Sequence, residues 1–248
     1  MRKILLDIVK HVSVVGGIEQ TKITGSAEET RVEAIDKDKT VIVNGTLRDP
    51  SEQLRGEYGI GFFPLLTGLL NHKTYLSDNA SIEIIRQDRG GVETPVEMLF
   101  KNDKGKNPAK FRFINKDYVN EMGVFRTPVW DYEIELDKST INEFASLADL
   151  YSAFEKFFSV KTSASEVIFS IGDDSNALHS AQVVMASDLD KSVEFSNEIN
   201  WNITPILSAM KLGQDHNPIL KLSARGAIEL SFSSALVDWR FIFPPRKR

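Results

Sequence analysis

Two stretches of this chain recur in the same order, and that repetition limits the folds open to it more than any other feature. Phe63-Pro64-Leu65-Leu66-Thr67-Gly68-Leu69-Leu70 has a counterpart in Thr204-Pro205-Ile206-Leu207-Ser208-Ala209-Met210-Lys211. Downstream of the first, Val96-Glu97-Met98-Leu99-Phe100 leads to Phe111-Arg112-Phe113-Ile114. Downstream of the second, Ile228-Glu229-Leu230-Ser231-Phe232 leads to Trp239-Arg240-Phe241-Ile242. Each half thus offers a proline-initiated apolar helix, then strands, then a closing strand of aromatic-Arg-Phe-Ile. Two weak similarities in one order predict a tandem duplication of a β-rich unit. A chain of 248 residues has room for two domains of ordinary size.

Composition narrows the chemistry. The chain has no cysteine, which excludes disulfides, thiolate metal sites and thiol catalysis together. Its net charge of −5 is unevenly shared. Residues 1–116 carry 18 Lys+Arg against 16 Asp+Glu, and the remainder 12 against 19. A uniformly basic nucleic-acid binder is excluded by that balance, but a local basic surface on an acidic exterior is not, because the field at a site depends on placement. Met1-Arg2-Lys3-Ile4-Leu5-Leu6 opens like a signal sequence, and Asp7, Lys10 and His11 then interrupt it. No apolar run approaches the ~20 residues that span a bilayer. A cytoplasmic protein without membrane attachment is expected.

Along the chain, Ile4, Leu5, Ile8, Val9 and Val12 make a helical stripe over residues 2–14, stopped at Gly16-Gly17. Strands are expected from Ile18 to Leu47, then the Phe62–Asn71 helix with Pro64 in its first turn, where a missing N–H costs nothing. Further strands run from Ile82 to Ile114 around a turn at Arg89-Gly90-Gly91. Residues 116–128 lack periodicity and read as a connector between domains 1–115 and 129–248. Trp130 to Asp137 alternates strictly, with four carboxylates on one face. Ser139 is a candidate cap for a helix whose apolar face is Ile141, Phe144, Ala145 and Ala148. Strands at 157–199, a second proline helix at 203–211 and strands at 219–243 complete the second half.

No catalytic or metal-binding pattern emerges. Gly105-Lys106-Asn107 lacks the earlier glycine and the following Ser/Thr of a phosphate loop. Asp188 to Val193 lacks the glycine a calcium loop requires at its sixth position. His11, His72, His179 and His216 are dispersed. The expectation is a protein that is not an enzyme and uses no cofactor and no metal.

Two halves, each with two helices and a β-meander, joined by an irregular connector, resemble a sliding clamp, and most nearly the trimeric clamps of T-even-like phages. The most family-like stretches are Tyr58–Asn71, Trp130–Leu150, Asn200–Lys211 and Trp239-Arg240-Phe241-Ile242-Phe243-Pro244-Pro245. The resemblance implies an α+β fold of duplicated DNA-clamp domains, each with two helices packed on antiparallel β-sheet, assembling as a homotrimeric ring. Such a ring encircles duplex DNA without sequence preference, tethers the replicative DNA polymerase and is opened by an ATP-dependent clamp loader. A sliding tether needs diffuse positive charge towards the phosphates and no base readout. The cations so implied are Arg2, Lys3, Lys10, His11, His72, Lys73 and Lys211. The third helix departs from the family, since Glu143 and Asp149 stand where basic residues are usual.

The resemblance also implies a pocket for a partner peptide, with Val124, Phe125, Pro128 and Val129 from the connector and Phe241, Phe243, Pro244 and Pro245 from the tail. The two phenylalanines fit a last core strand equally well. Ring closure would pair an edge at Lys110, Phe111, Arg112, Phe113 and Ile114 with a neighbour's edge at Leu178, His179, Gln182 and Val184. The basic segment from Lys101 to Lys116 would then face the acidic second domain, and it fits a solvated hairpin equally well. The competing expectations are a virion structural or assembly protein of two β-rich domains and, behind it, a hydrolase built from dispersed acids.

Overall fold

The computed structural model describes residues 1–120, 126–163, 165–172, 179–190, 193–196 and 199–247. The chain divides into two compact units. The first comprises Met1–Lys37, Val43–Gly123 and Ser234–Trp239, the second Asp38–Ile42, Val124–Ser233 and Arg240–Arg248. The class is α+β, with four α-helices and antiparallel sheets among the described residues.

The first unit opens with α1 (Arg2–Ser13), which buries Leu5, Ile8, Val9 and Val12. Four strands follow: β1 (Gln20–Gly25), β2 (Thr30–Ile35), β3 (Ile42–Leu47) and β4 (Gly56–Gly61). Helix α2 (Phe63–Asn71) comes next, then β5 (Ser81–Asp88), β6 (Glu93–Lys101), β7 (Ala109–Arg112) and the short β8 (Ile114–Asn115). The strand order is β8-β4-β1-β2-β3 in one sheet and β5-β6-β7 in another. In the first sheet Ile23 of β1 sits opposite Val32 on one side and Tyr58 on the other, which stacks apolar side chains on one face. Helix α2 starts with Pro64 in its first turn, preceded by Phe62 in a left-handed conformation (φ 49°).

In the second unit β9 (Tyr132–Glu135) precedes α3 (Lys138–Tyr151), and β10 (Phe157–Ser163), β11 (Glu166–Ile171), β12 (Ala181–Ala186) and β13 (Ile199–Asn202) follow. Helix α4 (Ile203–Gly213), β14 (Ile219–Leu222), β15 (Ile228–Ser233), β16 (Val237–Phe243) and β17 (Arg246–Lys247) end the chain. The order is β12-β11-β10-β13-β17 in one sheet, and β16-β15-β14-β9 runs in the other. Asp137 caps α3, its carboxylate accepting the Thr140 N–H at 2.8 Å. The expected cap, Ser139, lies inside the helix, because the β9 ladder releases the chain two residues earlier. That backbone hydrogen bond holds the Asp137 carboxyl below its usual range. Asn202 caps α4 in the same way, accepting from the Thr204 N–H at 3.0 Å.

The duplication is thus written in the topology. Among the described residues helix, four strands, helix, four strands occurs twice, and the first four strands are ordered fourth-first-second-third both times: β4-β1-β2-β3 and β13-β10-β11-β12. The repeated motifs fall on equivalent elements, α2 with α4, β6 with β15, and β7 with β16. One ion pair marks the register in each copy: Arg112 to Glu97 at 4.0 Å in the first unit and Arg240 to Glu229 at 2.6 Å in the second.

The two pairs differ in burial. The Glu229 side chain is only 3% exposed, whereas Glu97 is 13% exposed and also meets Lys110 at 2.9 Å. Truncating one partner of a buried pair strands the other charge in low dielectric. Arg240→Ala is therefore expected to cost about 2–3 kcal/mol in urea unfolding, against about 1 kcal/mol or less for Arg112→Ala. Equal losses would contradict the difference in burial. No helix among the described residues is long and apolar enough to cross a membrane.

Candidate nucleic-acid interface

Lys3 and Lys10 lie two turns apart on α1, on one face, and both are exposed. Two other cations expected on this surface are committed elsewhere. The Arg2 guanidinium donates to the carbonyls of Leu70 and Tyr75, tying α1 to the C-terminal end of α2. It satisfies carbonyls that a helix end leaves without partners and sets a positive charge against the negative end of the dipole.

His11 is a correction to the DNA-facing set, because it is 2% exposed. Its ring stacks on Trp239 with centroids 4.7 Å apart and planes 10° apart. Its Nδ1 lies 2.8 Å from the Asp7 carbonyl and 3.2 Å from the Asp7 carboxylate. Helical periodicity placed His11 beside Lys10 but could not show that an aromatic from the far end of the chain would cover it.

Past α2, His72 and Lys73 are exposed, and the His72 Nδ1 accepts the Thr74 N–H at 3.3 Å to cap a single 3-10 turn. In the second unit Lys211 is exposed in the last turn of α4. It lines a groove of about 870 Å³ between α3 and α4, together with Asn142, Ser146, Asp149 and Ser208. The helix surfaces of the two units differ in chemistry. The first exposes Lys3, Lys10, His72 and Lys73, with Asp7 half-buried and satisfied, while the second sets Lys211 among hydroxyls, amides and acids. Among the described residues no cluster of His, Asp or Glu is arranged to hold a metal ion.

Asp7 anchors the base of the first helix surface. Its carboxylate accepts from the Ser234 hydroxyl at 2.8 Å and the Trp239 indole N–H at 3.4 Å. Burial pushes this carboxyl up, but the hydrogen bond and charge of His11 and the bonds from Ser234 and Trp239 outweigh it and hold it below its usual range. The tryptophan they position covers Gly45 of β3, where a Cβ would stand 2.6 Å from the indole ring.

The partner surfaces are partly rearranged from expectation. Phe241 and Phe243 are core residues, 0% and 2% exposed. Phe241 stacks on Phe232 at 5.6 Å. Strand alternation drives them inward, so neither offers a side chain to a peptide. Val129 and Pro245 are exposed and Pro128 and Pro244 half-buried, whereas Val124 and Phe125 lie outside the described residues.

The expected edge at 110–114 is also divided. Lys110 and Arg112 are exposed on β7, an outer strand of its sheet, while Phe111 points into the core. Ile114 leaves for β8 and packs over Gly59 and Gly61, whose missing side chains make room for it. Phe113 is half-buried against Tyr58 at 4.3 Å. On the other edge, Gln182 and Val184 are exposed on β12, the outer strand of its sheet, and alternate with buried Val183 and Met185. His179 is exposed beside it, and Leu178 lies outside the described residues.

Sequence reasoning passed over Leu150 and Phe154, which are 70% and 79% exposed. The Tyr151 hydroxyl between them bonds the Ser180 carbonyl at 2.8 Å, placing this apolar pair at the start of β12. The signal was present for Leu150, which falls off the buried stripe of α3, whereas Phe154 lies three residues beyond the helix.

No protein-family model matches the sequence, and no curated protein matches it. Solved structures do match. A structure of the C-terminal region of FEN-1 bound to A. fulgidus PCNA aligns with a TM-score of 0.70 at 12% identity, covering 100% of this chain and 96% of that one. The protein has the sliding-clamp fold. Proliferating Cellular Nuclear Antigen from Entamoeba histolytica aligns at 0.65 and 14% identity over 96% of this chain and 93% of its own. PCNA from Thermococcus kodakaraensis aligns at 0.66 and 11% over 99% and 96%.

The Asp7 network has a defined pH signature. A carboxyl held low in the folded state stabilises at pH above its ordinary range, and that contribution is lost as pH falls through the lowered folded value. Asp7→Asn is expected to cost about 1–2 kcal/mol at pH 7 and clearly less at pH 3, read from urea unfolding at both values. A cost independent of pH would show that the carboxylate charge is not what matters there.

Proposed function

We propose that this protein is a sliding clamp whose copies close into a ring around duplex DNA and hold a DNA polymerase on it. One observation carries the proposal beyond the likeness in fold. In the first unit, residues 234–239 run beside β3: the Arg48 N–H donates to the Leu236 carbonyl at 3.0 Å, and the Arg48 guanidinium meets Asp238 at 3.2 Å. Among the described residues the equivalent strand of the second unit, β12, is the end strand of its sheet, and so is β7, the equivalent of β16. A cover used once within the chain and left open once, with a matching free strand available, suits head-to-tail association of identical copies.

Three copies, as in the T-even-like phage clamps that the sequence resembles, would place six similar domains in the ring. Residues 1–115 and 129–248 would be the clamp domains and 116–128 their connector. Lys3, Lys10, His72, Lys73 and Lys211 supply the diffuse phosphate attraction, with Arg2 adding its charge from a fixed position. Val129, Pro128, Pro244 and Pro245 remain the candidates for a polymerase or loader peptide. An ATP-dependent loader is the partner that would open such a ring.

Light scattering across a concentration series tests the assembly, with a mass near three times 27.9 kDa expected. The loaded protein should be retained on circular DNA and lost when that DNA is linearised. Lys3→Glu with Lys10→Glu is expected to shorten retention and to lower the salt dependence of DNA binding by about one unit for each phosphate contact removed. A chain monomeric at every concentration, or retention indifferent to linearisation, would reject the clamp.

A further inference from the structure

The first unit holds a template for how a third strand is covered. There Asp238 meets Arg48, the residue that follows β3, and Ser234 meets Asp7 of α1. The internal repeat identifies the counterparts. β7 begins at Ala109 and β16 at Val237, so Lys110 holds the place of Asp238 and Lys106 that of Ser234. The Glu97–Arg112 and Glu229–Arg240 pairs fix the same register independently. On the receiving side, Ile141, Phe144, Ala145 and Ala148 of α3 repeat the buried spacing of Leu5, Ile8, Val9 and Val12 of α1. That spacing puts Glu143 in the place of Asp7. Asp188 and Asp190, both exposed, stand two and four residues beyond the end of β12, on the same side of the strand's end as Arg48, which stands one residue beyond β3.

We propose that the joint between two copies is the charge-reversed counterpart of the cover over β3, with Lys106 and Lys110 of one copy meeting Glu143 and Asp188 of the next. Such a joint exists only if the ring does. In the cover over β3 the cation stands beyond the receiving strand and the anion on the covering segment. Between copies the polarity of this pair is inverted, while Glu143 keeps the sign of Asp7 and Lys106 adds a cation where Ser234 is neutral.

Inversion solves a problem that a duplicated chain creates for itself. Two similar covering strands and two similar receiving strands allow two wrong matches as well as two right ones. Laying β7 on β3 would set Lys110 against Arg48, and laying the 234–239 segment on β12 would set Asp238 against Asp188. Like charges brought into contact at the Lys110 and Asp238 position disfavour both exchanges, against a Lys106–Asp7 attraction in the first of them, so the polarity at that one position supplies repulsion against the wrong partner as well as attraction to the right one. Leu150 and Phe154, exposed at the start of β12, add apolar area beside the charged contacts.

The test uses the full-length chain in sedimentation equilibrium at low and high salt, with thermal melting to verify that each variant folds. Wild-type association should weaken as salt rises, because exposed charges are screened. Lys106→Glu with Lys110→Glu should raise the dissociation constant about tenfold or more at low salt, a loss of about 1.4 kcal/mol. Adding Glu143→Lys and Asp188→Lys to the same chain should restore association. A wild-type oligomer whose dissociation is unmoved by the first pair, or not recovered by the second, overturns the charge-reversed joint and leaves the ring standing. A wild-type chain that never associates overturns both.

Discussion

An outer strand with unpaired backbone groups is the constraint from which the rest of this structure follows. Every N–H and C=O along such an edge seeks a partner, and a long bare edge invites unspecific pairing. The chain meets the demand once by bringing residues 234–239 beside β3. Among the described residues β7 and β12 stand at the ends of their sheets. Their exposed faces carry Lys110 and Arg112 on one and Gln182 and Val184 on the other. Charged side chains such as Lys110 and Arg112 keep an edge from indiscriminate association while leaving its backbone available to a complementary one.

Much of this was legible in the sequence because duplication doubles each weak signal. The proline helices, the Glu-containing strands and the aromatic-Arg strands all fall on equivalent elements. What remained hidden was decided by distant parts of the chain. His11 looked like a surface residue on its helix and is capped by Trp239, more than two hundred positions away. Phe241 and Phe243 looked equally suited to a pocket and to a core, and strand alternation in β16 settled them inward. Asp137 outcompeted Ser139 as a cap because where β9 ends, not local propensity, decides where α3 can begin. The division of residues 110–114 between two sheets depends on space left by Gly59 and Gly61, which no local pattern reveals.

The helix surfaces show how duplicated units diverge in chemistry while keeping one frame. Both helix pairs pack through the same apolar spacing, which constrains the inward positions and leaves the outward ones free. In the first unit those free positions include Lys3 and Lys10; in the second Asn142, Ser146, Asp149 and Ser208 line the groove beside Lys211 and Lys156. A surface of hydroxyls and amides over a groove exchanges hydrogen bonds readily with water and with a hydrated polyanion, without holding either in one place.

The seating of Trp239 against Gly45 also bears on how the protein is made. The first unit lists among its own parts a segment, Ser234–Trp239, that lies close to the last residues of the chain. A nascent chain that has already exposed α1 and β1 to β4 therefore still lacks the indole that covers Gly45 and the hydroxyl that satisfies Asp7. That half waits, with β3 uncovered and a buried carboxylate short of donors, until Ser234–Trp239 has been made. Residues more than two hundred positions apart are then joined in one step, and a chain stopped short of Ser234 would lose the cover over β3 along with the strands that follow.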